Sequence, residues 1–349
     1  MIRIQNIYYM LAYAFQVLNE QGYSSVATEE FENTAELCAA ILAKGISTQL
    51  KRGLGKEYIS KTDALSSIRG RIEIADSIKT QTILKKQLIC SYDDFSVNSY
   101  MNRIIKSTVL LLLKSDITKA RKKELRKLMV FFDDVELIDV YSVNWNIQYN
   151  RNNQTYRMLI AICYLVIKGL LQTQSDGTTK LMSFFDEQRM HRLYEKFILE
   201  YYRKEFPMLQ ANALQIPWQL DDNYNELLPI MKSDITLVFK ERTLIIDAKY
   251  YGHSLQSHHD RTTVHSANLY QIFTYVKNME GELSDKPHDS VSGMLLYAQT
   301  DSEGMIEQEY KMSGNTICIR TLDLSKDFLT IRTQLDSIAN KYLLKTSGS

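Results

Sequence analysis

Met231-Lys-Ser-Asp-Ile-Thr-Leu-Val-Phe239, followed after four residues by Leu244-Ile-Ile-Asp-Ala-Lys-Tyr-Tyr251, is the stretch that decides how the second half of this 349-residue chain folds. Both segments are short, apolar and β-branched, and Lys240-Glu241-Arg242 between them is a tight polar turn, so they read as a hairpin. Side chains alternate faces along a strand. Leu244, Ile246, Ala248 and Tyr250 therefore share one face, and Ile245, Asp247, Lys249 and Tyr251 the other. Two opposite charges project from one side of an otherwise apolar strand, and the hairpin brings Asp234, at the start of the partner strand, alongside them.

Outward from the hairpin, the pattern predicts a helix over 186–205, strands near 212–219, 291–298 and 315–321, a helix over 266–279 and a final helix over 325–344. That order gives an α/β fold, α+β overall, with a mixed sheet flanked by helices. The first half is mostly helical, with helices expected over 6–20, 31–50, 98–114, 116–132 and 153–173, and a small β element from segments 55–60, 69–74 and 87–92. Gln174-Ser-Asp-Gly-Thr-Thr179 is the best linker candidate and divides the chain into domains 1–175 and 180–349.

Composition narrows the classes. Hydrophobic residues make up 45% and charged residues 24%, which suits two globular cores and excludes a disordered chain. The net charge is only +1, from 42 Lys and Arg against 41 Asp and Glu, so no chain-wide basic character announces a nucleic-acid binder. The four cysteines form no CxxC, which speaks against a cysteine zinc site and fits a reducing cytoplasm. The start lacks the layout of a signal peptide, and the longest apolar run, 158–167, is about half the roughly 20 residues of a spanning helix, so no membrane partner is expected.

Two carboxylates and a lysine meeting at the edge of an apolar sheet suit metal-assisted phosphodiester hydrolysis. Mg²⁺ takes hard oxygen ligands, usually one or two carboxylates plus waters and phosphate oxygens. The lysine can orient or deprotonate the attacking water, or offset charge in the transition state. The competing reading is a plain cross-strand ion pair on a solvated face. Against it stand the apolar flanks, which place the charges in a buried element, and the second aspartate at hairpin distance.

Asp234, twelve intervening residues and Asp247-Ala248-Lys249 resemble the PD-(D/E)xK signature of restriction-endonuclease-like nucleases, with Ser233 where that signature has Pro. The wider chain resembles the McrC family through Asn6-Ile-Tyr-Tyr-Met-Leu11, Arg52-Gly-Leu54, Ile68-Arg-Gly-Arg-Ile72, Asn102-Arg-Ile-Ile-Lys106, Leu193-Tyr-Glu-Lys-Phe197, Ile246-Asp-Ala-Lys-Tyr-Tyr251 and Asn268-Leu-Tyr-Gln271. The resemblance implies a PD-(D/E)xK endonuclease domain behind a motor-binding domain. It also implies a Mg²⁺-dependent nuclease subunit of a type IV-like restriction system that cuts double-stranded DNA. Its partner would be a McrB-like AAA+ GTPase hexamer that binds the GTP, and a homodimer through the nuclease domains would account for double-strand cutting. Asp234, Asp247 and the Ala248 carbonyl would then be metal ligands, Lys249 the catalytic lysine and Gln271 a residue positioning phosphate or water. Glu195 would be a supplementary acidic ligand. Gln271 reads equally as an ordinary helix position with Tyr275 one turn on, and Glu195 as a surface residue pairing with Lys196 or Arg192. Two other functions stay open: a regulatory adaptor that chiefly activates the GTPase, and a nuclease that needs no motor.

Gly53-Leu-Gly-Lys56 is too short for a P-loop, so the GTP of such a system must bind another chain. Tyr8 and Tyr9, with Arg69 and Arg71, are the candidate motor contacts, against burial of the two tyrosines in the chain's own core. His253, His258, His259 and His265 share the loop 252–265, where a role over DNA or a plain polar loop fits better than zinc. Residues 101–128 carry nine Lys or Arg against Asp116 and Glu124, a patch for DNA or for an acidic motor surface, or a solvated helix face.

Overall fold

The structure is a computed structural model and describes residues 2–15, 31, 33–150, 153, 155–176, 187–222, 224–250, 256–258, 261–284, 290–299 and 305–344. The chain forms two compact units, one of Met1–Phe31 with Phe185–Ser349 and the other of Glu32–Phe184. The expected division near 175–180 is thus redrawn at the N-terminus. Helix α1 (Ile4–Ala14) belongs with the second half of the chain: Met10 and Tyr13 lie in its core, and buried Asn6 donates hydrogen bonds to the carbonyls of Leu324 (2.8 Å) and Lys326 (2.7 Å). Residues 177–179 of the expected linker, and 16–20 of the first expected helix, lie outside the described residues.

The unit 32–184 contains α2 (Thr34–Arg52), β1 (Glu57–Leu65), β2 (Arg71–Ile72), α3 (Ile74–Lys79), β3 (Leu88–Ser96), α4 (Tyr100–Lys114), α5 (Lys119–Met129) and α6 (Tyr156–Asp176). Polar N-caps begin three of the helices. Asn33, Ser99 and Thr118 accept from the backbone N–H groups of Glu36, Asn102 and Arg121, satisfying donors that a helix start leaves unpaired. The small β element is an antiparallel sheet in the order β1-β3-β2. Gly70 is required there: its φ is +68°, and a Cβ would stand 2.3 Å from the carbonyl oxygen of Ser91.

Asn102, fully buried, organises this unit. Its amide donates to the carbonyls of Gly55 (2.9 Å) and Val97 (2.8 Å), its oxygen accepts from the Tyr156 hydroxyl (2.8 Å), and that hydroxyl accepts from the Gly55 N–H (2.7 Å). One side chain joins α4, α6 and the turn before β1.

The other unit continues with α7 (Glu187–Glu205), β4 (Gln210–Asn212), β5 (Gln215–Ile216), β6 (Met231–Lys232), β7 (Ile235–Phe239), β8 (Arg242–Lys249), β9 (Gln256–His258), β10 (Arg261–Thr263), α8 (Ser266–Glu282), β11 (Ser290–Gln299), β12 (Glu307–Met312), β13 (Asn315–Asp323) and α9 (Phe328–Ala339). Six strands make one sheet in the order β12-β13-β11-β8-β7-β4. β8, β11 and β13 run parallel, β7 is antiparallel to β8, and β12 to β13. One face packs on α1, α7 and α9 through Leu244, Ile246 and Ala248 of β8. The other packs on α8, where Ile245 meets Ile272 and Val276.

Two expectations change. The single strand expected at 212–219 is split: β4 closes the main sheet against β7, while β5 pairs with β6. The split follows from Leu214, whose carbonyl accepts from the Ser233 N–H and turns the chain toward β6. β12 had no sequence signal, because all but one of its residues are exposed and polar or mixed, as befits an edge strand. Among the described residues no helix is long and apolar enough to cross a membrane.

Asn102→Ala would leave buried carbonyls and the Tyr156 hydroxyl without their partner, a loss of about 2–3 kcal/mol. The expected result is a clear drop in the urea midpoint with an unchanged slope, and an unchanged midpoint would refute the organising role.

Candidate active site

Every residue of β8 after Arg242 is buried, and two of them are charged. Asp247 is 1% exposed and Lys249 8%. Because Leu244, Ile246 and Ala248 face α7, alternation sends Asp247 and Lys249 to the α8 side, as the sequence pattern requires. Their ammonium and carboxylate stand 2.9 Å apart, Lys249 Nζ to Asp247 Oδ2. Tyr250 packs toward the α7 face, and Tyr251 lies outside the described residues.

Asp234 arrives by a break in strand pairing. β7 begins one residue later, with Ile235 opposite Ile246, and Ser233 has already turned to Leu214. The Ala248 N–H therefore meets the side chain of Asp234, donating to Oδ2 at 2.9 Å. This bond sets the second carboxylate at the end of the hairpin, beside Asp247.

From α8, Gln271 accepts a hydrogen bond from Lys249 Nζ at 3.3 Å through Oε1 and donates from Nε2 to the Tyr275 hydroxyl at 3.0 Å. The amide is thus oriented by its neighbour one turn on and in turn orients the lysine. From α7, Glu195 pairs with His191, one turn earlier, at 2.6 Å, rather than with Lys196 or Arg192. The pair belongs to the same neighbourhood, since the charge of Glu195 acts on Asp234 and that of His191 on Asp247. His191 did not figure in the sequence reading. Its signal was there in the i, i+4 spacing to Glu195 on one helix face.

The electrostatics are those of a site in which acidic groups outnumber the one lysine. Burial, then the charges of Asp247 and Glu195, raises the Asp234 carboxyl above the usual carboxylate range. Burial likewise raises that of Asp247, against the pull of Lys249. The hydrogen bond to Glu195 raises His191. Asp247 is held on the Oδ2 side by the Lys249 ammonium at 2.9 Å and lies against the Asp234 carboxyl, with no water-exposed oxygen of its own. Two carboxylates kept out of water side by side, with a single lysine to offset their charge, fit a divalent cation with oxygen ligands. The cation would need waters or phosphate oxygens as well, since among the described residues no three His, Cys, Asp or Glu side chains converge on one point.

The four candidate partner contacts divide between the units, Tyr8 and Tyr9 in one and Arg69 and Arg71 in the other. Tyr8 is buried in the chain's own core, and Tyr9 stacks on Phe328 with ring centroids 4.0 Å apart. Arg69 bonds Asp94 at 3.2 Å and lies 4.2 Å over the Tyr92 ring, while Arg71 is exposed near Glu73. Of the loop histidines, His253 and His259 lie outside the described residues.

Asp234→Asn keeps an acceptor for the Ala248 N–H and removes one of two opposed buried charges. In EDTA near neutral pH it is expected to raise Tm by about 2–4 °C, the equivalent of roughly 1 kcal/mol, and to erase the rise in Tm that Mg²⁺ or Mn²⁺ gives the wild type. The sign follows from linkage: a carboxyl raised on folding is stabilising when protonated and loses that contribution as pH rises through its folded value. A lower Tm in EDTA, or an undiminished metal response, would contradict this geometry.

The McrBC 5-methylcytosine restriction system component family model matches residues 4–298, more than four-fifths of the chain. The type IV methyl-directed restriction enzyme EcoKMcrBC of Escherichia coli K12 is 28% identical over 348 residues, 98% of each chain. In fold, the chain resembles one from the half-complex of the tetradecameric assembly of Thermococcus gammatolerans McrB AAA+ hexamers with bound McrC. The TM-score is 0.51 at 16% identity, over 96% of this chain and 76% of that one. With a family match of that extent over both units, this chain belongs to the McrBC 5-methylcytosine restriction system component family.

Proposed function

We propose that this chain is the DNA-cleaving subunit of its restriction system, a Mg²⁺-dependent phosphodiesterase with a PD-(D/E)xK core that works with a McrB-like AAA+ GTPase hexamer. The observation that carries the reading is the buried convergence of Asp247 and Asp234 with Lys249, 2.9 Å from Asp247, at the end of the β7–β8 hairpin. Membership in the McrBC family supports DNA as the substrate. The Escherichia coli relative is named as a restriction enzyme, and the Thermococcus assembly as McrB hexamers with McrC bound, which supports a motor as the partner. The GTP would belong to that partner.

In this reading Asp234, Asp247 and the Ala248 carbonyl would hold the cation, while Glu195, paired with His191, would add its charge to the site rather than a direct ligand. A bound Mg²⁺ would polarise the scissile phosphate and favour hydroxide over water. Lys249 places its ammonium beside Asp247, where it can orient the attacking water and offset charge growing on the phosphate. Gln271 keeps Lys249 aimed, and Tyr275 keeps Gln271 from rotating its amide. The surrounding apolar sheet excludes bulk water, so each of these charges acts in a medium of low polarity. Of the motor contacts, Arg69 and Arg71 are both exposed, and Tyr8 serves the core.

Reconstitution with the cognate AAA+ GTPase, GTP, Mg²⁺ and DNA tests the reading. Asp247→Asn and Lys249→Ala are each expected to slow cleavage by at least about 10²-fold, the order found for losing one transition-state contact, while GTP turnover stays unchanged. Full cleavage by either variant would overturn the assignment. Lost GTP turnover in both would favour the adaptor function instead.

A further inference from the structure

Of the nine cations in 101–128, Lys114 ends α4 and the other eight form two groups once their contacts are known. Three are spent on the fold. Lys106 donates to the carbonyls of Phe132 (2.8 Å) and Val135 (2.6 Å), and Arg103 to that of Leu137 (3.2 Å). Arg121 pairs with Glu36 at 3.3 Å and Glu124 at 2.6 Å. Lys119, Lys122, Lys123, Arg126 and Lys127 form the second group, and no carboxylate among the described residues pairs with any of them.

These five are not scattered on α5. Their spacings from Lys119 are three, four, seven and eight residues, which is one face of a helix. Leu125, fully buried, holds the opposite side of the helix to the unit. The face spans about 12 Å along the axis at 1.5 Å per residue. A DNA duplex presents roughly seven phosphate charges over that length.

We propose that this face of α5 is a sequence-independent docking surface for the phosphate backbone of duplex DNA. An acidic protein partner is the less fitting occupant. Protein interfaces are depleted in lysine and place apolar groups at the centre with charge at the rim. Here four of the five cations are lysines, they occupy the centre, and the exposed apolar residues, Val130 and Phe131, lie beyond the C-terminal end. A chain of net charge +1 that concentrates five unpaired cations on two turns has a local polyanion site without a general attraction for nucleic acid. The surface lies in the unit 32–184, whereas the candidate active site lies in the other. The proposal rests on the DNA-cleaving reading only for the choice of duplex DNA as polyanion, and its readout is binding rather than cleavage.

The test is fluorescence anisotropy of the full-length chain with a fluorescein-labelled duplex over a range of salt concentrations. Changing all five residues to Gln is expected to flatten the slope of log K against log salt by about 4, and Lys123→Gln with Lys127→Gln alone by about 2. Lys79→Gln with Lys85→Gln, which removes two exposed cations from the same unit, should leave the slope unchanged. The double variant keeps the proposal falsifiable if the fivefold variant does not fold. Wild type that fails to bind at low salt, an unchanged slope in the double variant, or an equal loss in the Lys79 and Lys85 control would each overturn it. So would intact DNA binding with lost binding to the AAA+ partner, which would assign the face to a protein.

Discussion

The site depends on one hydrogen bond, from the Ala248 N–H to the side chain of Asp234. A strand N–H at this place would ordinarily meet a neighbouring strand's carbonyl. The neighbouring chain has left at Ser233, and a carboxylate fills the gap. That substitution does two things. It satisfies a main-chain donor in the sheet, where an unpaired one is costly. It also fixes a negative charge beside Asp247, on a strand where every other consideration favours apolar side chains. The protein thereby keeps two carboxylates close in a poorly solvated place, an arrangement that the single Lys249 charge offsets only in part.

The surrounding elements serve that arrangement. β11 pairs with one edge of β8 and β7 with the other, α7 covers one face and α8 the other. From α8 comes the Gln271–Tyr275 pair that aims Lys249, and from α7 the His191–Glu195 pair. The same α8 side of the sheet carries Gly293, where a Cβ would come within 2.8 Å of Ile272 and Val276, so the helix lies as close as the sheet allows. Tight packing of this kind restricts the rotamers of the side chains that must hold position.

Much of this was legible in the sequence. The alternation along 244–250 was enough to sort Asp247 and Lys249 from Leu244, Ile246 and Ala248, because side-chain period in a strand is a property of the backbone alone. Gln271 and Tyr275 could be paired by helix spacing, but their contact with Lys249 is tertiary and had no local sign. His191 was missed for the same reason: its partner was one turn away, while its relevance came from β8, more than fifty residues on. The aromatic motif at Asn6–Leu11 had two readings, motor contact or core, and Asn6, which ties α1 to the segment before α9, and buried Tyr8 go with the core. Periodicity shows that a helix is amphipathic and cannot show which unit it packs on. The edge strand β12 lay beyond pattern reading because an exposed strand needs no apolar alternation.

We propose that the Asp234–Asp247 pair exists to hold a divalent cation. Anomalous diffraction from crystals grown with Mn²⁺ tests it most directly. The account predicts one strong peak bonded to both carboxylates at about 2.1 Å, the distance for a small hard cation, with Lys249 still hydrogen-bonded to Gln271. Absence of a peak at saturating Mn²⁺, with Lys249 alone filling the space between the carboxylates, would reduce the constellation to a buried ion pair and contradict the account.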